Sequence, residues 1–207
     1  MIQRVLDTKG RILDAAEKLF GDNGFDATSL RDITAQADVN LAAVNYHFQT
    51  KESLIDAVIA RRIEPVNRKR LEMLEAAGAD PAVEQILIAF LSPVFDQDRS
   101  AVAPMMAQIL ATPDVFITRL FKKHLATVSQ RFTEALGKAL PGLSRTDLLW
   151  RLHFTAGAMA HVLARGHLLP EMTHGECDPT DRPAVLARLI TFTAAGLRAN
   201  AWNGEAN

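Results

Sequence analysis

The side chains between residues 28 and 51 have the types and spacing that suit contact with nucleic acid. The amides of Asn40 and Asn45 can pair with adenine edges, the small Ala42 permits close approach, and Leu41 can touch a thymine methyl. Hydroxyl, imidazole and ammonium groups suit phosphate, and the candidates are Thr28, Ser29, Tyr46, His47 and Lys51. The segment therefore predicts one surface that reads bases and anchors to a phosphate backbone.

Two short helices joined by a tight turn are predicted to carry these side chains. Ser29 and Asp32 have the spacing of a capping box, which opens the first helix. Asp38 stands where the turn needs a left-handed residue. The second helix buries Val39, Val44 and Phe48 and turns Asn40, Leu41, Ala42, Asn45 and Tyr46 outward. This is a helix-turn-helix, although such pairs also occur as structural corners that bind nothing.

The charge balance does not support broad nucleic-acid binding. Residues 1–51 contain six Lys or Arg and seven Asp or Glu, and the whole chain of 207 residues has a net charge of −1. A DNA-binding domain usually has a basic face, which this segment lacks. Any DNA contact must be local, and a structural helical dimer without DNA binding remains an alternative.

Catalytic, metal and membrane functions have less support. The chain has no nucleophile elbow, P-loop or glycine-rich dinucleotide turn, so we expect neither an enzyme nor a cofactor. His161, His167, His174 and Cys177 are irregularly spaced, so no metal site is predicted. A single cysteine, a charged N-terminus and the lack of a long apolar run predict a cytoplasmic protein without membrane contact.

The remaining pattern is helical throughout. Apolar stripes predict helices from a Thr8 cap to Gly24, from a Thr50 cap to about residue 77, and over 114–140, 144–165 and 183–201. The helix over 144–165 is predicted to begin with a capping box, and one of its stripes includes Leu149. The inward stripe of 114–140 is predicted to include Phe121, Val128, Phe132 and Leu136. No alternating strand pattern occurs. We expect an all-α fold of about nine helices, with a helix-turn-helix domain in residues 1–50 and an effector-binding and dimerisation domain in residues 51–207.

The two C-terminal helices predict a dimer. Helices 144–165 and 183–201 are apolar on most faces, and a helix that is apolar all round is buried all round. One stripe can face the core while the other faces a second subunit; a central helix in a monomer is the alternative. The predicted contact residues are Trp150, Phe154, Gly157, Ala160, Ala164, Ala195 and Gly196.

An apolar ligand cavity is predicted among the same later helices. Its lining candidates are Met105, Met106, Phe116, Leu120, Phe121 and Phe154, with His153 and His161 as polar groups for a ligand's head. Ordinary core packing is the competing interpretation, because Met and Phe at helical spacing are usually core and a histidine on an apolar helix can be satisfied internally.

A known family shares this pattern. The chain resembles the TetR family of transcriptional regulators through Thr8, Arg11-Ile12-Leu13, Ala15-Ala16, Leu19-Phe20, Gly24-Phe25, Thr28-Ser29, Ile33, Ala37, Val39, Tyr46-His47-Phe48, Lys51 and Leu54. The resemblance implies a homodimer whose three N-terminal helices bind double-stranded operator DNA and whose other helices bind a small effector. It departs at Thr34, usually Ala, at Asp38, usually Gly, and at Asn45, often Tyr.

The resemblance also suggests how such a protein would act. It implies a repressor released by ligand, with an activator of the same family as the alternative. The strings NLAAVNYHF, LLWRLHF and FTAAGLRA are similar to a branch of the family that responds to long-chain fatty acids or their thioesters. We therefore expect a small apolar effector of that class.

Overall fold

The computed structural model describes residues 2–96 and 118–200, with side chains from residue 8 onward. Within these ranges all regular structure is helical and no strand occurs, which confirms the all-α prediction. The helices are α1 (Ile2–Asn23), α2 (Leu30–Ala37), α3 (Leu41–Phe48), α4 (Lys51–Ala76), α5 (Val83–Phe95), α6 (Ala126–Ala139), α7 (Arg145–Arg165), the short α8 (Leu169–Met172) and α9 (Arg182–Arg198).

The described chain forms two compact units. The first comprises the residues up to Val66 together with 118–125, and the second comprises 67–96 together with 126–200. Helix α4 passes from one unit into the other and remains helical through Pro65. The predicted functional division at residue 50 stays a prediction.

The first unit is built around the apolar faces of α1 to α4. Ile12, Phe20, Ile33 and Leu54 are almost completely buried, as their spacing requires of one face of each helix. The rings of Phe20 and Phe25 meet edge to face with centroids 5.4 Å apart. Burial of each such side chain stabilises the unit by about 1.5–3 kcal/mol. This packing holds the short helices α2 and α3 against α1.

Helix α1 begins earlier than the sequence predicts. The predicted cap at Thr8 is wrong, because the helix already runs from Ile2 and Thr8 lies inside it. The predicted end is confirmed, since Gly24 follows the helix with a φ of 87° and donates its N–H to the carbonyl of Phe20. Glycine tolerates that left-handed conformation without a Cβ clash.

A π-helical turn at Phe121–Leu125 leads directly into α6. Such a turn adds one residue to the helical repeat, so residues before it are shifted around the axis relative to those after it. The predicted stripe therefore holds for Val128, Phe132 and Leu136, which are buried, but fails at Phe121, which is 45% exposed. Leu120 takes the inward position instead and joins the core of the first unit.

The second unit packs α9 against α5 and α7 and packs α6 against α5 and α7. Phe90 and Phe132 join α5 to α6, with ring centroids 5.1 Å apart. Arg151 ties α7 to the end of α9, because its Nη1 lies 2.6–3.1 Å from three carbonyl oxygens there. The predicted inward position of Leu149 is wrong: the stripe runs through Leu148, and Leu149 is 45% exposed.

None of the helices in the described ranges combines the length and the apolar character needed to cross a membrane.

Candidate nucleic-acid interface

The turn between α2 and α3 is fixed by local hydrogen bonds. Ser29 and Asp32 form the predicted capping box, with the Ser29 N–H 2.9 Å from the Asp32 carboxylate. The hydrogen bonds from the Ser29 side chain and backbone hold the pKa of Asp32 below its usual value, so the box is complete at neutral pH. Asp38 adopts the predicted left-handed conformation, with φ 51° and ψ 55°.

Arg11 of α1 holds the same turn from outside. Its Nε donates to the carbonyl of Ala37 at 3.0 Å, and its guanidinium also bonds the carbonyl of Asp38. These carbonyls lie at the end of α2, where the helix provides no N–H partner for them. A cation at a helix C-terminus is also favoured by the helix dipole. Arg11 therefore positions the turn, a role that the sequence pattern did not predict.

Helix α3 presents the predicted face to solvent. Val44 and Phe48 are buried, whereas Tyr46 is 78% and Leu41 is 43% exposed. Ala42 and Asn45 are exposed on the same side, and His47 is half-buried next to Tyr46, with ring centroids 5.1 Å apart. The exposed face thus combines two small or apolar side chains with an amide, a phenol and an imidazole. Its roles towards DNA remain predictions.

Asn40 has a structural task at the start of α3. Its Oδ1 accepts a hydrogen bond from the N–H of Ala43 at 2.9 Å, and it is therefore the N-cap of the helix. Pairing with adenine requires both the oxygen and the nitrogen of an amide. Because the cap occupies the oxygen of Asn40, Asn45 is the amide on this face better suited to reading a base.

The two hydroxyl candidates before α2 differ in accessibility. Thr28 is completely buried, and its Oγ1 lies 2.8 Å from the carbonyl oxygen of Gly24 and 3.1 Å from that of Leu19. The structure therefore contradicts Thr28 as a side-chain phosphate contact, because its hydroxyl is directed into the protein. Ser29 is exposed at the N-terminus of α2 and keeps the predicted place.

Gln49 is a feature that sequence interpretation missed. It has φ 64° and ψ −49°, and the N–H of Thr50 bonds the carbonyl of Phe48 across it at 2.7 Å. This is the strained form of the γ-turn, and strain of this kind is concentrated at functional sites. The spacing indicates a tight turn at this position. Phe48 must be buried and Thr50 caps α4, so Gln49 alone has to reverse the chain between the two helices.

Lys51 and the acidic residues nearby define the local charge. The Nζ of Lys51 donates to the carbonyl of Asp26 at 3.2 Å, which holds the ammonium against the segment between α1 and α2. Two carboxylates of α1 are neutralised from α4: Arg61 lies 2.7 Å from Asp14 and 2.9 Å from Glu17. The charge count over residues 1–51 misses this pairing, because the arginines lie beyond that range.

A second exposed surface lies on α7 and α9 and is apolar. Trp150, Phe154 and Phe192 are 57%, 62% and 70% exposed, and the rings of Trp150 and Phe154 are 5.7 Å apart. Gly157, Ala195 and Gly196 are exposed on the same two helices, and a Cβ at Gly157 or Gly196 would meet no atom within 4 Å. We call this set the α7–α9 face.

Two residues predicted for that surface do not belong to it. Ala160 and Ala164 are only 8% and 4% exposed, because they lie on the side of α7 that packs inside the chain. The structure therefore contradicts them as partner contacts, whereas the other five predicted positions are exposed.

The predicted ligand residues are not brought together in the described part of the chain. Met105, Met106 and Phe116 lie outside the described residues. Leu120 belongs to the core of the first unit, and Phe121 is exposed, so neither lines a described cavity. His153 and Phe154 are exposed on α7, with ring centroids 6.4 Å apart.

His161 lies in a groove of about 670 Å³ in the second unit. Segments of α7, the loop before α9 and α9 itself form its walls, and Cys177, Arg188 and Phe192 also line it. Between residues 8 and 96 and between 118 and 200, no group of three His, Cys, Asp or Glu side chains is arranged to hold a metal ion.

Comparisons with known proteins agree with this geometry. Residues 12–58 match the profile described as bacterial regulatory proteins, tetR family, and residues 88–196 match the tetracyclin repressor-like C-terminal domain. The HTH-type transcriptional regulator UidR of Escherichia coli K12 is 29% identical over 164 residues, covering 76% of this chain and 82% of UidR. The HTH-type transcriptional repressor KstR2 of Rhodococcus jostii is 29% identical over 103 residues, covering 47% and 50% of the two chains.

Solved structures share the fold. FadR from Bacillus subtilis, solved in complex with stearoyl-CoA, superposes with a TM-score of 0.69 at 14% identity, covering 90% of this chain and 97% of FadR. The profile match to residues 88–196 spans more than half of the 207 residues. The helix-turn-helix geometry, the all-helical second unit and these matches establish that the chain belongs to the TetR family of DNA-binding transcriptional regulators, which are not enzymes.

Proposed function

We propose that this regulator is a dimeric repressor whose α3 helices enter the major groove of a pseudo-palindromic operator and leave it when a ligand binds. The observation that carries the proposal is the outward face of α3, where Tyr46 is 78% exposed on a helix held by its buried side. A recognition helix of a helix-turn-helix has this combination of exposure and fixation. The repressor name of the relative KstR2 supports the direction of regulation.

The roles on the surface follow from side-chain chemistry. Asn45 reads an adenine edge, Leu41 contacts a thymine methyl and Ala42 allows the backbone to approach the bases. Phosphate contacts come from Ser29 at the N-terminus of α2 and from Tyr46, His47 and Lys51. Asn40 contributes to this surface by capping the N-terminus of α3.

The α7–α9 face supplies the dimer contact. Its three large side chains would otherwise leave apolar rings in water, and the exposed glycines allow two helices to approach closely. A soluble chain rarely keeps such a patch uncovered. In the dimer the two α3 helices would reach successive major grooves about 34–36 Å apart.

The effector proposed is a long-chain fatty acid or its thioester, because the helices after residue 80 carry few charges along their length. Each methylene buried in such a site contributes about 0.8 kcal/mol, so an acyl chain can supply most of the affinity. The shared fold with FadR, solved with stearoyl-CoA, supports this class. Release requires the ligand to bind the DNA-incompetent state more tightly than the competent one, and α4 is the chain segment common to both units.

A gel shift with the protein's own promoter region tests the proposal. The expected result is a specific complex that fatty acids dissociate, with potency rising over medium chain lengths. If operator binding increases transcription in vivo, the protein is an activator. If no specific binding is found, the alternative of a structural helical dimer is favoured. Equal potency of fatty acids from C8 to C18 would exclude the acyl effector but not the repressor.

A further inference from the structure

One buried cation in the second unit has no part in the DNA surface or in the α7–α9 face. Arg70, on the second half of α4, is only 5% exposed. None of the ion pairs found in residues 8–96 and 118–200 involves it. A buried charge is ordinarily paired, because the desolvation of an ion is too unfavourable to be left uncompensated.

The contacts of Arg70 are uneven around its guanidinium. Nε donates to the carbonyl of Phe90 at 2.7 Å, and Nη1 lies 3.3 Å from Oδ1 of Asn67. The carbon of the guanidinium sits 4.4 Å from the centroid of the Phe90 ring. Among residues 8–96 and 118–200, however, Nη2 finds only the thioether sulfur of Met159, at 3.6 Å. Sulfur is a weak acceptor, so one branch of the fork lacks a strong partner.

Apart from the cation–π contact with the Phe90 ring, the contacts of Arg70 within the described chain do not need its charge. A neutral amide could donate to the Phe90 carbonyl, which lies one turn before Pro93 in α5. Burial lowers the pKa of Arg70 to about 10, and the guanidinium is therefore still charged at neutral pH. The chain thus keeps a desolvated positive charge and a rigid fork of donors that its own described residues use only in part.

We propose that Arg70 binds the anionic head of the effector, with a carboxylate replacing the Met159 sulfur as the partner of Nη2. A planar carboxylate matches the guanidinium fork and supplies a countercharge that none of the described residues provides. This inference rests on the proposed function, in which an effector binds the second unit. What is new is that the effector is an anion, whether its apolar part is an acyl chain or an aromatic ring.

The test compares acids with their neutral esters. Binding of palmitate and methyl palmitate, and of 1-naphthoate and methyl 1-naphthoate, is measured on the purified full chain by titration calorimetry and by operator release. The variants are Arg70→Gln, which keeps a donor without charge, and Arg70→Lys, which keeps the charge without the fork. Arg131→Gln, at an exposed arginine on α6, is the matched control.

For at least one pair, the wild-type protein should bind the acid about tenfold or more tightly than the ester, the loss expected for a hydrogen bond to a charged group. Arg70→Gln should reduce that ratio to near one while the ester still binds. Arg70→Lys should keep part of the preference, and Arg131→Gln should keep all of it.

Other outcomes separate this inference from the effector class. A charge preference for the naphthoate pair alone would support Arg70 and overturn the acyl effector. Equal binding of palmitate and its ester by the wild type, with operator release by both, would support the acyl effector and overturn the role of Arg70. An acid preference that persists in Arg70→Gln would also overturn the role of Arg70. If none of the four compounds binds, both the role of Arg70 and the acyl effector are overturned.

Discussion

The protein has two exposed surfaces with opposite physical character. On α3, Asn45 and Tyr46 project from a helix whose cap, preceding turn and buried side are all fixed by local contacts. On the α7–α9 face, Trp150, Phe154 and Phe192 leave large apolar rings in solvent. The α3 surface is stable in water without a partner, whereas covering the α7–α9 face removes apolar area from water and is therefore stabilising.

This difference indicates which property each surface depends on. A surface that reads hydrogen-bonding groups on DNA depends on the position of its backbone, because a small displacement misaligns donors and acceptors. A surface that joins two copies depends mainly on area and close packing. Substitutions on α7 or α9 should therefore change assembly strongly, while those on α3 should change sequence preference with little change in stability.

The largest effect is expected from a charge placed in the α7–α9 face. Gly157→Arg and Ala195→Arg should each bury an unpaired cation at the proposed dimer contact, at a cost of about 3–5 kcal/mol. The folded monomer should survive, because both positions are exposed within one chain. Light scattering should then give the monomer mass, with Ala76→Arg, at an exposed position on α4, as the dimeric control. If both variants stay dimeric, another surface forms the contact.

A smaller effect is expected from the arginine that positions the turn. Arg11→Ala removes the hydrogen bonds to the carbonyls of Ala37 and Asp38 and should lower the free energy of unfolding by about 1–3 kcal/mol. Urea unfolding measures this loss, and fluorescence anisotropy should show weaker operator binding. Arg131→Ala on α6 is the control. Unchanged stability of Arg11→Ala would mean that packing alone fixes the turn.

The two kinds of DNA contact should separate by their dependence on sequence. Asn45→Ala should relax the preference at one base pair of each half-site, worth about 1–3 kcal/mol of discrimination. Lys51→Ala should weaken binding to every sequence and reduce the slope of affinity against salt concentration. Anisotropy titrations on operator and random DNA measure both. Equal losses on the two DNAs for Asn45→Ala would contradict its role in reading bases.

The smallest effect is expected from an ion pair at the surface of the second unit. Arg198 donates two hydrogen bonds to the carboxylate of Glu84, with Nη2 2.7 Å from Oε2, and these bonds lower the pKa of Glu84 to about 2. Because the folded pKa lies below the ordinary value of 4.5, the pair stabilises the protein above that pH and is lost as the pH falls towards 2.

Glu84→Gln tests this pair. Both side chains are nearly half exposed and solvent screens the pair, so the loss at pH 7 should be small, and it should shrink as the pH falls towards 2. Thermal unfolding at several pH values checks the trend, with Glu171→Gln as a control. A difference from the wild type that does not depend on pH would show that the carboxylate acts through packing alone.

Much of the first unit could be predicted because its sequence rules are local. The Ser29–Asp32 box, the left-handed Asp38 and the outward face of α3 each depend on residues within a few positions. The same rules placed the start of α7 at Ser144, whose Oγ accepts from the N–H of Asp147. Capping and helical spacing act over one turn, and the sequence contains all that they need.

The remaining features depend on long-range contacts or on a broken helical repeat. Phe121 was predicted inward because the pattern assumes an unbroken α-helix, and the π-turn moves Leu120 into its place. Thr28 has the chemistry of a phosphate ligand, yet the fold directs its hydroxyl to the end of α1. The partners of Arg70 on α5 and α7 are 20 and 89 residues away, beyond the reach of any local pattern.

Selection of binding sites from random duplex DNA by the purified protein tests most directly whether two α3 helices read the operator. The wild-type protein should enrich a pseudo-palindrome with half-sites about 10 base pairs apart, and Asn45→Ala should lose one conserved position in each half-site. Enrichment of a single half-site, of no sequence at all, or of the same palindrome by both proteins would contradict the claim that two α3 helices read the operator.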